Sequence, residues 1–309
     1  MTAPESVRLL AEARAAARAA RDFAGADRLR EEIAEAGWTV HDGADGWALT
    51  ARESRAVLDA VTDLPDRSGL PDDGRATVSL LVEGWPDDVR TSVAALITHL
   101  PADVKVQALD LASADGAGAV LDEAAAGHPS RLEVWHVAAP AGWAAARRAM
   151  QRADTAAVHV WCDPSTVFDG DALAPLLAAF ADRTVAGAGW QGVNVDLDDD
   201  WRSFHPAGPG EVDALLGYLF AVRRSAARLA GGPDPKARFY RNADMEFSFM
   251  LRETGAGRLV VPDPDLPCHQ GRHRGYHDSD PDYRDRESRR NYRRFLRRYR
   301  GRTDLLAPR

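Results

Sequence analysis

Apolar and polar positions change rhythm along this chain. From residue 5 to 61 the pattern is helical. An alanine-rich stretch from Glu5 to Arg21 precedes DRLREEIAEAGW, where Leu29, Ile33 and Ala36 share one face and Gly37 supplies a stop. Thr50 and Glu53 form a capping-box pattern, which predicts a third short helix ending near Val61. The segment TDLPDRSGLPDDGR then interrupts the periodicity with Pro, Gly and Asp. It divides a helical appendage over 1–66 from a main domain over 76–309, with a linker at 67–75.

Beyond the linker, short apolar runs alternate with helical segments. Strands are expected at 76–82, 104–109, 132–137 and 157–161, and helices at 86–100, 115–126 and 141–153. Strands separated by helices require crossover connections, so the fold class is α/β with a mostly parallel, Rossmann-like sheet flanked by helices. Ligands of such sheets bind beyond the carboxyl ends of the strands, which makes the residues just after each strand the ones to read for chemistry.

Composition narrows the picture. A chain of 309 residues accommodates one large domain and a small appendage. The net charge of −8 argues against general adhesion to nucleic acid or membranes. No apolar run approaches a membrane span, and Met1 is not followed by a signal-peptide pattern, so the expected location is the cytoplasm. Cys162 and Cys268 are too few for a disulfide framework.

The densest chemical signal is GGPDPKARFYRNADMEFSFMLRETG, residues 231–255. Met245, Phe249 and Arg252 are spaced as on a helix, Gly255 ends it, and Asp244 and Glu246 fall in its first turn. Exposed N–H groups favour carboxylates there, and a carboxylate facing a pocket serves as a general base. The stretch resembles the GGFDExFFxYxEDxDLxxRLRxxG segment of glycosyltransferase family 2, enzymes of GT-A fold that use nucleotide-sugar donors. Gly231, Gly232, Asp234, Phe239, Tyr240, Asp244, Phe247, Leu251, Arg252 and Gly255 match it, whereas Ala243 and Glu246 depart from it. LDLASADG is similar to the family's nucleoside-contacting segment, and AGWAAARRAM matches another family segment through Gly142, Ala146 and Arg147. CDPST stands where the family carries D-x-D, with Asp163 on the first acid and Ser165 on the second. The resemblance covers roughly residues 76–300.

The resemblance implies an inverting hexosyltransferase-like enzyme taking UDP-, GDP- or dTDP-sugars, with Asp244 as base. It places Asp110, Ser113 and Arg147 on the donor, and Asp163 on the diphosphate and on Mg2+ or Mn2+. His269 or His273 supplies the further metal ligand, and Arg272 and Arg274 are available to phosphate oxygens. On their own, the histidines of PCHQGRHRGYHD recur every four residues, as on a zinc-binding helix face, but Gly271 and Gly275 argue for a loop. Trp190, with Trp201, flanks the acidic run Asp196 to Asp200; Trp190 and Glu246 are the acceptor-side candidates, and buried structural aromatics are the alternative for the tryptophans. The acidic run reads as a loop rather than a calcium site. In the arginine-rich end, Tyr292, Phe295, Leu296 and Tyr299 form an apolar stripe that leaves the arginines outward.

The appendage resembles the C-terminal tail of cysteinyl-tRNA synthetases through Asp22, Phe23, Ala26, Asp27, Leu29, Arg30, Gly37, Trp38, Val40, Asp42 and Gly46. With no synthetase catalytic domain alongside, it reads as a reused module that packs or forms a homodimer, with RNA contact as the other reading. Three functions follow: a glycosyltransferase acting on a glycan, lipid, peptide or small-molecule hydroxyl, a GT-A-like binding protein that has lost catalysis at Ser165 and Ala243, and an RNA-associated factor.

Overall fold

Among the residues that the computed structural model describes, 3–43, 46–51 and 56–309, the alternation beyond residue 74 forms eight strands of a nine-stranded sheet whose ninth lies at Val57–Leu58. The chain divides into two units, Met1–Ala56 and Val57–Arg309.

The first unit holds α1 (Glu5–Ala19), α2 (Phe23–Glu35) and an antiparallel hairpin of β1 (Trp38–Gly43) and β2 (Gly46–Ala51). Asp22 caps α2 by accepting the Gly25 N–H at 2.9 Å. Val7, Ala11 and Ile33 of the helices pack on Trp38 and Val40. The buried Arg14 guanidinium forks onto both Asp42 carboxylate oxygens at 2.9 Å, which holds that carboxyl well down, at about 2. The helix expected to end near Val61 is absent from the described residues: Thr50 lies in β2 opposite Thr39, while Glu53 falls outside them. WTVHDG and GWALTA each alternate with a period of two, and that strand signal outweighs the capping-box pattern.

The second unit runs β3 (Val57–Leu58), β4 (Gly74–Val82), α3 (Pro86–His99), β5 (Val104–Leu111), α4 (Ala117–Gly127), β6 (Leu132–Val137), α5 (Trp143–Ala153) and β7 (Ala156–Cys162). There follow β8 (Thr166–Phe168), α6 (Ala174–Ala179), β9 (Val185–Gly189), β10 (Gly192–Val195), β11 (Phe204–Ala207), β12 (Gly210–Glu211), β13 (Ala214–Leu215) and β14 (Leu219–Arg223). The chain ends with α7 (Arg224–Ala230), α8 (Ala243–Glu253), β15 (Arg258–Val261), β16 (Cys268–Gln270), α9 (Arg274–His277) and α10 (Pro281–Tyr299). The large sheet is ordered β12-β15-β9-β14-β7-β4-β5-β6-β3. Strands β7, β4, β5, β6 and β3 are parallel, and β14 runs antiparallel to both β7 and β9.

Because β3 pairs with β6, the segment from Val57 belongs to this unit rather than to the appendage. The expected linker is also fixed: the buried Arg224 guanidinium donates to the carbonyls of Arg67 and Leu70 and to the Asp72 carboxylate. Its turn residues bend the backbone, and one cation collects the carbonyls so exposed.

Alternate residues of the central strands serve opposite faces. Val78, Leu80, Val106 and Val160 meet α3 and α4 through Val93, Leu96 and Leu121, while Leu81, Leu109, Trp161 and Phe220 meet α5 and α8 through Met150, Phe247 and Leu251. Phe249 of α8 and Phe295 and Tyr299 of α10 join Trp201 in a further cluster, so Trp201 is a core residue. No helix among the described residues is long and apolar enough to cross a membrane.

Trp161 is fully buried, with edge contacts to Trp143 and Phe220 and a stack on Phe247 at 4.8 Å. Trp161→Ala is expected to cost about 3–5 kcal/mol. Trp161→Phe should cost much less, because the indole N–H it removes is buried without a partner. Urea unfolding of both variants checks this ordering.

Candidate functional site

The carboxyl ends of β4 and β7 open into two adjoining hollows of about 50 and 170 Å3. Both are lined by Trp143, Arg147, Asp163, Tyr240 and His273, which form the wall they share. Glu83, Trp85, Ser165, Arg272 and Arg274 belong to the smaller hollow, and Tyr218, Arg241 and Asp244 to the larger. A roomier cavity of about 400 Å3 lies at the amino ends of the same strands, where charges such as Arg67 and Glu133 pair with each other. None of the residues singled out from the sequence lines it.

Asp163 follows β7 directly. Its Oδ1 accepts the Ser165 N–H at 2.8 Å and the Ser165 hydroxyl at 2.5 Å, and its Oδ2 lies 3.1 Å from His273 Nε2. Burial alone would push this carboxyl up, but the His273 and Ser165 hydrogen bonds outweigh it and hold the group down as a carboxylate. Ser165 thus serves the aspartate in place of a second acid. Arg147, on α5, is buried; it donates to the Ser79 carbonyl at 2.9 Å and lies over the Trp161 ring. Burial lowers it to about 10 against the pull of Asp163, so it stays cationic at neutral pH.

Asp244 sits in the first turn of α8, after Asn242 in a left-handed conformation at φ 66°. Its Oδ2 accepts the Gly217 N–H at 2.8 Å and its Oδ1 the Met245 N–H at 2.9 Å, yet no cation pairs with it among the described residues. Burial raises it to about 6 against those two hydrogen bonds. That is the range in which a carboxylate exchanges protons near neutral pH.

Other expected site residues lie elsewhere. Glu246 is two residues on and faces away: it is buried and clamped by Arg294 of α10 at 2.8 and 2.9 Å, so it lines neither hollow. A turn of 100° per residue puts i and i+2 on opposite sides of a helix, which the acceptor-side expectation overlooked. His269, in β16 opposite Val167, bonds Asp169 at 2.6 Å, so of the two histidines only His273 reaches Asp163. The strand conformation of Cys268–Gln270 breaks the helical spacing of the histidines. Trp190 donates to the Pro264 carbonyl at 3.3 Å, packs beside the core and lines neither hollow.

Asp110 is buried, accepting the Ser113 N–H at 3.0 Å and pairing with His136, which also reaches Asp122. Neither Asp110 nor Ser113 lines a hollow; they brace the loop after β5. Arg272 and Arg274 do line the smaller hollow, with Arg272 paired to Asp278 and Arg274 to Asp88 at 2.7 Å. Asp196 accepts from the N–H groups of Asp198 and Asp199 and from His205, so the acidic run closes on itself. Among the described residues no three His, Cys, Asp or Glu side chains gather closely enough to hold a metal ion alone.

Sequence reading missed Glu83, Trp85 and Asp115. Asp115 accepts the Trp85 N–H at 2.6 Å and sits so near Gly84 that a Cβ there would lie 2.8 Å from its Oδ2. Gly84 also has φ +138°, a conformation open to glycine. Burial in the cleft and the Asp163 charge push the Glu83 carboxyl up. The signal was available in EGWP, a polar residue and glycine at the carboxyl end of the first long strand.

No family profile matches the chain. Solved structures of the same fold include the mannosyltransferase PcManGT from Pyrobaculum calidifontis in complex with GDP-Man and Mn2+, at 20% identity and a TM-score of 0.53 over 74% of this chain and 63% of that one. Another is GalNAc-T7 with UDP, GalNAc and Mn2+, at 18% identity and a TM-score of 0.58 over 72% of this chain and 47% of that one. This chain therefore has the GT-A fold of a mixed, mostly parallel sheet flanked by helices, and it spans less than two thirds of each neighbour. A short segment is 56% identical over 46 residues to the cysteine–tRNA ligase of Opitutus terrae, 15% of this chain and 10% of the ligase.

The Glu246 environment carries its own test. Arg294→Met would strand a buried carboxylate and is expected to cost about 3–5 kcal/mol of stability. Glu246→Gln with Arg294→Met together should cost less than Arg294→Met alone, as read by urea unfolding.

Proposed function

We propose that the chain is a glycosyltransferase of the family 2 type that moves a sugar from a nucleotide-diphosphate donor to an acceptor hydroxyl, with inversion. The observation that carries this reading is the pair of hollows sharing a wall of Arg147, Asp163 and His273, with Arg272 and Arg274 in the smaller and the buried Asp244 carboxylate, raised to about 6, in the larger. The fold, shared with enzymes solved with GDP-Man or UDP, supports it.

The smaller hollow takes the diphosphate of UDP, GDP or dTDP. Arg147 supplies a fixed positive charge at its base, and Arg272 and Arg274 reach phosphate oxygens by exchanging their acidic partners. Asp163 and His273 fit Mg2+ or Mn2+ as a carboxylate and imidazole pair whose other positions come from the diphosphate and water. A cation held there would offset charge on the leaving group. In the larger hollow Asp244 accepts the proton of the attacking hydroxyl. Attack from that side, away from the diphosphate, inverts the anomeric carbon. Ser165 and Ala243, each standing where the family pattern has an acid, favour a second reading, a GT-A-like protein that binds donors without turnover.

Thermal shift with UDP, GDP, dTDP and their sugars, with and without Mn2+, tests the donor hollow. One nucleotide should raise Tm selectively, by about 2.7 kcal/mol of added stability at a hundredfold excess over Kd. No shift with any donor overturns both readings.

Asp244→Asn should lower kcat by about a hundredfold to ten-thousandfold while leaving the donor-induced shift in place. Since burial holds Asp244 at about 6, the acid form predominates below that pH and the base form above it. Wild-type kcat/KM should therefore fall as pH drops through about 6, and the residual activity of Asp244→Asn should lack that limb. Full transfer by Asp244→Asn removes the base assignment, and donor binding without any transfer selects the second reading.

A further inference from the structure

His273 caps the amino end of α9, where the chain has little regular structure to aim a side chain. Its neighbours Arg272 and Arg274 are drawn to Asp278 and Asp88, so they do not fix the imidazole. What touches the ring is Tyr240. The tyrosine hydroxyl lies 3.3 Å from His273 Nδ1, and the two rings lie against each other at 4.6 Å between centroids. Tyr218 closes another side, edge-on at 5.7 Å. With Nδ1 engaged and the ring walled in, the remaining nitrogen, Nε2, is directed at Asp163.

Tyr240 is itself held from outside the site. Asn291 of α10 is fully buried, and its side-chain amide donates to the Phe239 carbonyl at 2.7 Å and the Arg241 carbonyl at 3.0 Å, gripping the backbone on both sides of Tyr240. Phe239 packs on the Tyr240 ring at 4.6 Å. Tyr240 lines both hollows, so it stands where the donor and acceptor sides meet.

We propose that Tyr240 is a positioning residue: through its hydroxyl and ring it orients the His273 imidazole so that Nε2 and Asp163 Oδ2 present a convergent pair to the donor's cation and diphosphate. This rests on the donor reading of the smaller hollow. Outer partners that fix the free nitrogen of a ligating histidine commonly change metal affinity about 10–100-fold when removed. The apolar stack survives Tyr240→Phe, so that variant isolates the hydroxyl, whereas Tyr240→Leu removes both.

Two measurements on the full chain test it. The first is Mn2+ binding, with Mn2+ alone and with GDP or UDP, followed by the electron paramagnetic resonance of free Mn2+. Tyr240→Phe should bind Mn2+ about tenfold more weakly or worse, and Tyr240→Leu weaker still, with urea midpoints of Tyr240→Phe near wild type. The second needs no metal: the 15N resonances of the His273 ring should shift in Tyr240→Phe toward an imidazole without its Nδ1 partner. Unchanged His273 resonances overturn the proposal, as does Mn2+ affinity equal to wild type in Tyr240→Phe. Wild-type protein that binds no Mn2+ would instead remove the cation from the donor reading, and the His273 resonances would still decide the role of Tyr240.

Discussion

A guanidinium from α5, buried against β4 and β7, sets the terms for the carboxyl edge of the sheet. A buried charge is tolerated only if it is hydrogen-bonded and balanced. Arg147 bonds the β4 backbone at Ser79, lies over Trp161 of β7 and feels the charge of Asp163, so it couples strand placement to site electrostatics. The ring cluster around Trp161 holds α5 and α8 against the same part of the sheet. Arg147, Asp163 and Asp244 are therefore placed by one packing arrangement, although they are distant in sequence.

Much of that arrangement is legible in the chain. The apolar runs at Val78, Val106, Val134 and Val160 mark the parallel strands, because strands covered on both faces leave continuous apolar signatures. Asp163 and Asp244 stand out since each lies at the end of an element that the periodicity defines. What residue type and position in a turn do not show is which distant partner a side chain meets. Glu246 has the right residue type in the right turn, yet Arg294, forty-eight positions later, draws it to α10. His269 likewise follows Asp169 once β16 pairs with β8.

The appendage shows a different limit. Its two helices follow from alanine content and the Asp22 cap, but the hairpin after them was hidden by a local polar pattern at Thr50 and Glu53. Side chains alternating through WTVHDG place Trp38 and Val40 inward against Ile33, so the period-two pattern and the helices' need for apolar cover both favour a strand. The boundary at residue 66 failed for a related reason. A segment rich in Pro and Gly looks like a linker until a buried cation such as Arg224 collects its carbonyls.

Asp244 and Glu246 differ in what surrounds them. Both are buried carboxylates in the first turn of α8, and both are raised by burial. Glu246 spends its charge on Arg294, a fixed ion pair that has no reason to exchange a proton. Among the described residues Asp244 accepts from N–H groups at Gly217 and Met245 and feels His273 only through its charge, so its charged form is supported but not neutralised. A carboxylate left in that state costs the fold free energy, and its environment is explicable if a proton donor enters the hollow it lines. The same helix turn thus gives one acid to an ion pair with Arg294 and leaves the other lining the larger hollow, because residues two apart face opposite sides of the helix.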